Sequence, residues 1–253
     1  MAMPSKGSML VGAVGLMLAG GSHAADLSLS GGVGGWDQGL SGEFSDAGNR
    51  SFDLEDDAGL DDTSNVYVWA QLEHPIFLLP NIRLEHTRFD TDGNGTVERN
   101  FTFRGENFQV REDVSSEFEL NQTDIIGYYS IWDTLVDLDL GLDVRLVDGD
   151  VAIQSQRTGR TASESFTAPV PMAYAAARFD VPGTGAWIRA QGSGVGFDGN
   201  SYLDARATMG YTFGFGGGVE LGYRRQDLEI DDVDDVDGDL EIDGAFAGVY
   251  YAF

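Results

Sequence analysis

The sequence predicts an all-β fold: a closed antiparallel transmembrane β-barrel of about ten strands, with eight or twelve as the neighbouring solutions. Three observations carry the prediction. Val136, Leu138, Leu140, Leu142, Val144 and Leu146 alternate without a miss with Asp137, Asp139, Gly141, Asp143 and Arg145, so an extended chain bears leucine on one face and charge on the other. The alternation lasts eleven residues, the length of a tilted membrane-spanning strand. No later segment approaches eighteen uninterrupted apolar residues. A spanning structure must then be a closed barrel, because every backbone amide in lipid needs a partner.

Ten segments carry a period of two: 27–36, 66–73, 82–89, 117–131, 136–146, 172–181, 186–195, 202–213, 218–228 and 239–253. The first is glycine-rich. In the second, Val66, Val68, Ala70 and Leu72 oppose Tyr67, Trp69, Gln71 and Glu73. The sixth turns Ala173, Ala175, Ala177 and Phe179 outward, and the eighth sets Leu203, Ala205, Ala207, Met209, Tyr211 and Phe213 against Asp204, Arg206 and Thr208. Connections at 75–80, 132–135, 182–185 and 214–217 are short, while 37–65, 90–116, 148–169 and 229–238 read as long loops; only 196–201 breaks the alternation. Short periplasmic turns and long acidic extracellular loops fit an outer-membrane barrel, and part of 97–113 reads as a hairpin standing above the membrane.

Alternation alone does not tell inside from outside, so a soluble lipocalin-like barrel with the leucines inward is the competing fold. The termini argue against it. Lys6, the apolar run 9–18, Gly20, Gly21, and Ser22 and Ala24 before the cleavage point read as a secretory signal, giving residues 1–24 as a cleaved leader and 25–253 as one barrel domain. At the other end Val249, Tyr251 and Phe253 share a face. They resemble the C-terminal signal through which the barrel assembly machinery recognises its clients. Proline is scarce, and the absence of cysteine fits a protein that needs no disulfides.

Charge excludes one class of partner. Lys6 is the only lysine, so after the leader fourteen arginines face forty-two carboxylates, a net charge of about −28. Nucleic acid is repelled by such a surface, and divalent cations are its natural counter-ions.

Several segments match one family. Glu73-His74-Pro75 with Leu78-Leu79-Pro80-Asn81, the run from Thr123-Asp124 through Trp132 into Leu138-Asp139-Leu140-Gly141-Leu142, and Leu221-Gly222-Tyr223-Arg224-Arg225 leading to Asp231-Asp232-Val233-Asp234-Asp235 resemble an uncharacterised family of small proteobacterial outer-membrane barrels. The resemblance implies a barrel fold in the cell outer membrane, among lipid and lipopolysaccharide. It carries no catalytic residues.

The inward faces collect Glu73, Glu85, Asp137, Asp139, Asp143, Asp204 and Glu220 against Arg83, Arg145, Arg178, Arg189, Arg206 and Arg224. Seven acids and six arginines in so narrow a barrel read as a lumen filled by ion pairs, arginine being suited to bidentate carboxylate binding. An open ion pathway is the alternative. No cofactor is expected beyond weak calcium, for which two candidates stand out. Asp90, Asp92 and Asn94, with Gly95 at the turn, match the first part of a calcium loop, although Phe101 stands where the bidentate glutamate belongs. The acidic run containing Asp231, Asp234 and Asp235 is the second. Outside the leader the only histidines are His74, at a turn, and His86, on the lipid-facing parity, and no hydrolase constellation surrounds either. The expected function is therefore non-enzymatic: a monomeric outer-membrane barrel with a structural or surface-interaction role through its acidic loops. A small passive pore is the alternative, and an outer-rim hydrolase a further one.

Overall fold

The alternating segments become ten strands in a computed structural model that describes residues 27–46, 52–53, 62–96, 101–103, 106–108, 113–133, 135–233 and 236–253. The strands are β1 (Ser28–Asp46), β2 (Thr63–Glu73), β3 (Asn81–Thr96), β4 (Asp113–Asp133), β5 (Val136–Ser155), β6 (Thr161–Asp180), β7 (Ala186–Phe197), β8 (Asn200–Thr212), β9 (Gly217–Val233) and β10 (Val236–Ala252). Each pairs antiparallel with the next, and β10 closes on β1 from Ser30↔Ala252 to Asp46↔Val236. Where all ten strands run side by side, closure leaves no unpaired sheet edge. Beside the barrel, Phe52–Asp53 pairs with β1, and Phe101–Phe103 pairs with Glu106–Phe108 as the hairpin expected within 97–113.

Burial decides between the two barrels that alternation allows. Along β5 the leucine face is exposed, reaching 70% at Leu142, while Asp139, Asp143 and Arg145 are buried. β8 repeats this, with Leu203 and Met209 exposed against buried Asp204, Arg206 and Thr208. A water-soluble barrel needs the reverse. The lipocalin-like alternative is overturned, and the apolar outer wall requires an apolar solvent.

Further up the strands both faces invert. Beyond Leu146 the outward residues of β5 are Asp148 and Asp150, and the inward ones include Val147 and Ile153, both buried. On β4 the outward residues pass from Ile125 to Glu117 and Asp113, and the inward ones from Asp124 to Leu120, Phe118 and Val114. On β9, Leu221 and Tyr223 outside give way to Arg225, Asp227 and Glu229. The upper barrel is thus built more like a soluble one, acidic outside, with an interior that is largely apolar but also buries Gln38, Thr91, Ser116 and Ser155. Its core gathers Trp36, Leu40, Phe89, Phe118, Leu120 and Ile242 into a single cluster, with the Phe89 and Phe118 rings 5.6 Å apart edge to face.

This inversion corrects the loop lengths expected from sequence. Most of 90–116, 148–169 and 229–238 is strand, and the links of the last two shrink to 156–160 and 234–235. Above the lipid boundary the outward side chains are polar and the inward ones mix Gly, Val and Ile with polar residues, so the hydrophobic period that marks a strand in lipid is lost although pairing continues. The exception at 196–201 is a two-residue turn, Asp198–Gly199, whose φ values of 52° and 86° suit a type I′ hairpin.

At the lower end the links are tight. His74 organises one of them: its Nδ1 accepts the Ile76 N–H at 3.2 Å, its Nε2 lies 3.1 Å from the Pro80 carbonyl oxygen, and its N–H donates to Asn81 Oδ1 at 3.0 Å. The turn leans over the outer wall, where Tyr129 Oη donates to the Leu78 carbonyl at 3.1 Å. Glycine in β1 makes room within the barrel. A Cβ on Gly32 would lie 2.6 Å from Trp69 Nε1, and one on Gly34 2.5 Å from the Tyr67 ring.

Candidate functional site in the barrel lumen

The lumen is organised around Arg145. Register places Asp124 of β4 directly opposite it, and the guanidinium donates from Nε to Asp124 Oδ1 at 2.5 Å. Its other nitrogens cross the lumen to β8, Nη2 to Asp204 Oδ2 at 2.5 Å and Nη1 to Tyr202 Oη at 2.8 Å. Asp204 also accepts a fork from Arg224, Nε to Oδ1 at 3.1 Å and Nη2 to Oδ2 at 2.5 Å, while Arg224 Nη1 donates to Thr87 Oγ1 at 2.8 Å. From β8, Arg206 reaches Glu85 Oε2 of β3 at 2.9 Å, and Arg83 holds Glu85 Oε1 at 2.5 Å. Gln226 joins Asp204 to Gln122, which in turn meets Tyr202 Oη.

Below this layer lies a second. Arg189 stands 3.6 Å from Asp139, which also accepts from Ser130 Oγ at 2.7 Å, and Arg189 Nη2 donates to Tyr174 Oη. Glu220 accepts from Tyr67 Oη at 2.8 Å and Trp69 Nε1 at 3.0 Å. Aromatic faces shield the cations: Arg83 lies over Trp69 at 4.4 Å, Arg224 over Trp36 at 4.8 Å and Arg145 over Tyr202 at 5.0 Å. The network braces opposite walls of the barrel. Desolvation offsets much of the ion pairs' attraction, yet removing one partner would leave a buried charge uncompensated.

Most of the lumen residues read from sequence come together here: Arg83, Glu85, Asp139, Asp143, Arg145, Asp204, Arg206, Glu220 and Arg224 are buried, and the Arg189 side chain is 9% exposed. Three lie at the lower rim instead. Glu73 is half-buried and accepts from Gln71 Nε2 and Tyr128 Oη. Asp137 is half-buried, opposite Arg178 in register. Arg178 forks onto its neighbour Asp180 and stacks over Trp187 at 4.3 Å. Near the end of β6, its side chain is 29% exposed. Sequence reasoning missed Asp124. Isoleucines at 125 and 126 put apolar residues on both faces and hid the parity, although pairing through the 132–135 link with Arg145 would have exposed it.

The calcium candidates are placed differently. Asp90, Asp92 and Asn94 belong to β3, paired with Glu119, Glu117 and Ser115, and form an outward row instead of the wrapped loop the motif suggested. Arg88 Nη2 contacts Asp90 Oδ2 at 2.5 Å, and Asn94 Oδ1 accepts from Gln156 at 2.9 Å. Ladder pairing with β4 holds this segment extended, which a calcium loop cannot be. Asp231 is exposed, its N–H donating to Asn200 Oδ1 at 3.0 Å; Asp234 and Asp235 lie outside the described residues. Among the described residues no three His, Asp or Glu side chains converge as a metal site. His86 faces outward, its Nδ1 3.0 Å from Thr123 Oγ1. At the C-terminus Val249 and Tyr251 face outward beside Phe253, whose N–H donates to the Leu29 carbonyl at 2.8 Å.

No family model matches the chain. No curated protein matches it significantly either. Among solved structures, the outer membrane protease OmpT from Escherichia coli superposes with a TM-score of 0.55 at 8% identity, over 89% of this chain and 97% of that one. The translocator domain of the autotransporter NalP from Neisseria meningitidis gives 0.43 at 14% identity over 90% and 87%, and Ail of Yersinia pestis 0.39 at 11% over 90% and 99%. Only the first is close enough to bear on architecture, and at that identity it bears on fold alone. The chain therefore has the closed ten-stranded antiparallel architecture of an outer-membrane β-barrel.

Proposed function

We propose that the chain is an integral barrel of the bacterial outer membrane with a closed lumen, non-enzymatic, acting as a structural and surface-presenting element. The observation that carries this reading is the double inversion along the strands. Where the outer wall is apolar the lumen is cross-braced by arginine and carboxylate, and where the outer wall turns acidic the interior becomes largely apolar around Trp36 and Phe89. A solute would have to displace both layers. The acidic collar stands just above the lipid band, at the depth of lipopolysaccharide phosphates, where repulsion between anions favours divalent counter-ions, so its interaction with that layer should weaken on chelation.

Planar-bilayer recording of the purified chain tests closure. The expected result is a silent bilayer, with leak appearing only when Arg145 or Arg206 is truncated. Steady conductance steps from the unmutated chain would overturn the closed-lumen reading in favour of a passive pore.

A further inference from the structure

The charges buried in the lumen do not balance. Six acids, the five named above together with Asp143, face five arginines among the described residues whose side chains are nine-tenths or more buried. Each arginine is committed to an acid other than Asp143: Arg83 and Arg206 to Glu85, Arg145 to Asp124 and Asp204, Arg189 to Asp139, and Arg224 to Asp204. Glu220 has its tyrosine and tryptophan donors. Asp143 is only 1% exposed, and although Ser193 is close enough to influence it, neither of its carboxylate oxygens finds a hydrogen-bond partner of good geometry. A buried carboxylate without a partner is among the most unfavourable states a side chain can occupy.

Beside it is a space of matching chemistry. A cavity of about 10 Å³, the size of one water or one small ion, is lined by Asp143 together with Asp124, Gln191 and Ser193, and its wall also includes Glu85, Arg145, Asp204 and Arg206 beside Ile126 and Gly192. Asp124 Oδ2 is a third buried oxygen without a partner, and Arg206 Nε a donor without one. A water there has two hydrogens for three unpartnered acceptor atoms and supplies no charge. A divalent ion would overshoot the imbalance and needs six or more oxygens.

We propose that the cavity between Asp143, Asp124 and Ser193 holds a single buried monovalent positive charge, an alkali cation or a proton, which neutralises Asp143. The groups facing Asp143 set the field that this charge must satisfy. They are Glu85 from β3, Asp124 from β4, its own neighbour Arg145, and Asp204 and Arg206 from β8; β7 supplies the uncharged Gln191 and Ser193, and β6 the apolar Met172 opposite in register. Carboxylate, hydroxyl and amide oxygens can coordinate sodium. The same oxygens can share a proton.

Thermal unfolding of the full chain in detergent micelles tests this, comparing sodium chloride with choline chloride at equal ionic strength, and mildly acidic with mildly alkaline pH. An alkali cation predicts a midpoint higher in sodium than in choline. A proton taken up on folding predicts a midpoint that falls as pH rises, the direction linkage requires for a group that binds its proton more tightly when folded. In either case Asp143→Asn should abolish the dependence, and in choline at alkaline pH it should melt above the unmutated chain. A midpoint indifferent to both variables, or a dependence that survives Asp143→Asn, overturns the proposal. If that variant does not fold, the unmutated chain still decides. A protonated-carboxyl infrared band or sodium-23 line broadening supports the proposal, and the absence of both overturns it. The inference rests on the closed-lumen reading, but the two fail separately, closure being read by conductance and Asp143 by the midpoint.

Discussion

Replacing Leu140 by arginine probes the outer wall where the account places it deepest in lipid. The outward apolar row of β5 runs over eleven residues, from Val136 to Leu146. At roughly 3.3 Å per residue and a tilt of about 45° it covers a height of about 25 Å, the thickness of an outer-membrane apolar band. Leu140 sits one residue from the middle of that row, about 2 Å from the midplane in depth. Its side chain is 50% exposed, on the outer wall that the account assigns to lipid. Arginine at such a depth costs about 2–4 kcal/mol, which is roughly a 30-fold to 900-fold change in the unfolding equilibrium. Asp150, outward on the same strand but about 9 Å beyond the end of the row, gives the control; Asp150→Arg should cost no more than about 0.5 kcal/mol. Denaturant titration of the chain refolded into vesicles, followed by tryptophan fluorescence, measures both. Equal costs for the two, or a neutral Leu140→Arg, would refute the assignment of the leucine face to lipid.

Truncating the centre of the lumen has a different signature. Arg145→Ala leaves Asp124 and Asp204 short of a partner and should cost about 3–5 kcal/mol, read as a lower midpoint of heat-dependent gel mobility; Arg145→Lys keeps the charge without the fork and should fall between. In β1, Gly34→Val places a Cβ 2.4 Å from the Ala247 carbonyl oxygen and 2.5 Å from the Tyr67 ring, and should cost about 1–3 kcal/mol by the same assay. At the neighbouring Gly35 a Cβ meets nothing within 4 Å, so Gly35→Ala should be silent.

What could be read from sequence follows from where the hydrophobic period survives. In the lipid zone one face must be apolar without exception, and the strand from Val136 to Leu146 is legible at sight for that reason. Above it the demand on the outer face is only polarity, so Asp148 to Ser155 looked like loop although it continues the β4–β5 ladder from Asn121↔Asp148 to Val114↔Ser155. The motif around Asp90 misled for a related reason: Asp-Thr-Asp-Gly-Asn-Gly is turn and calcium chemistry in isolation, but pairing with 113–119 draws it straight. The lumen was legible as a composition of acids and arginines. Its pairing was not, because Arg145 with Asp204 and Arg206 with Glu85 are contacts across the barrel that only closure brings within reach.

The central claim is that a lipid band and an acidic, water-facing collar meet on one continuous strand, and a cysteine-free chain allows it to be read position by position. Single cysteines at the outward positions of β5 from Leu138 to Gln154, each carrying a nitroxide in reconstituted bilayers, should be accessible to oxygen through Leu146 and to a water-soluble nickel complex from Asp148 onward. A boundary at that step is the predicted result. Nickel accessibility throughout, or oxygen accessibility extending past Asp150, would contradict the account.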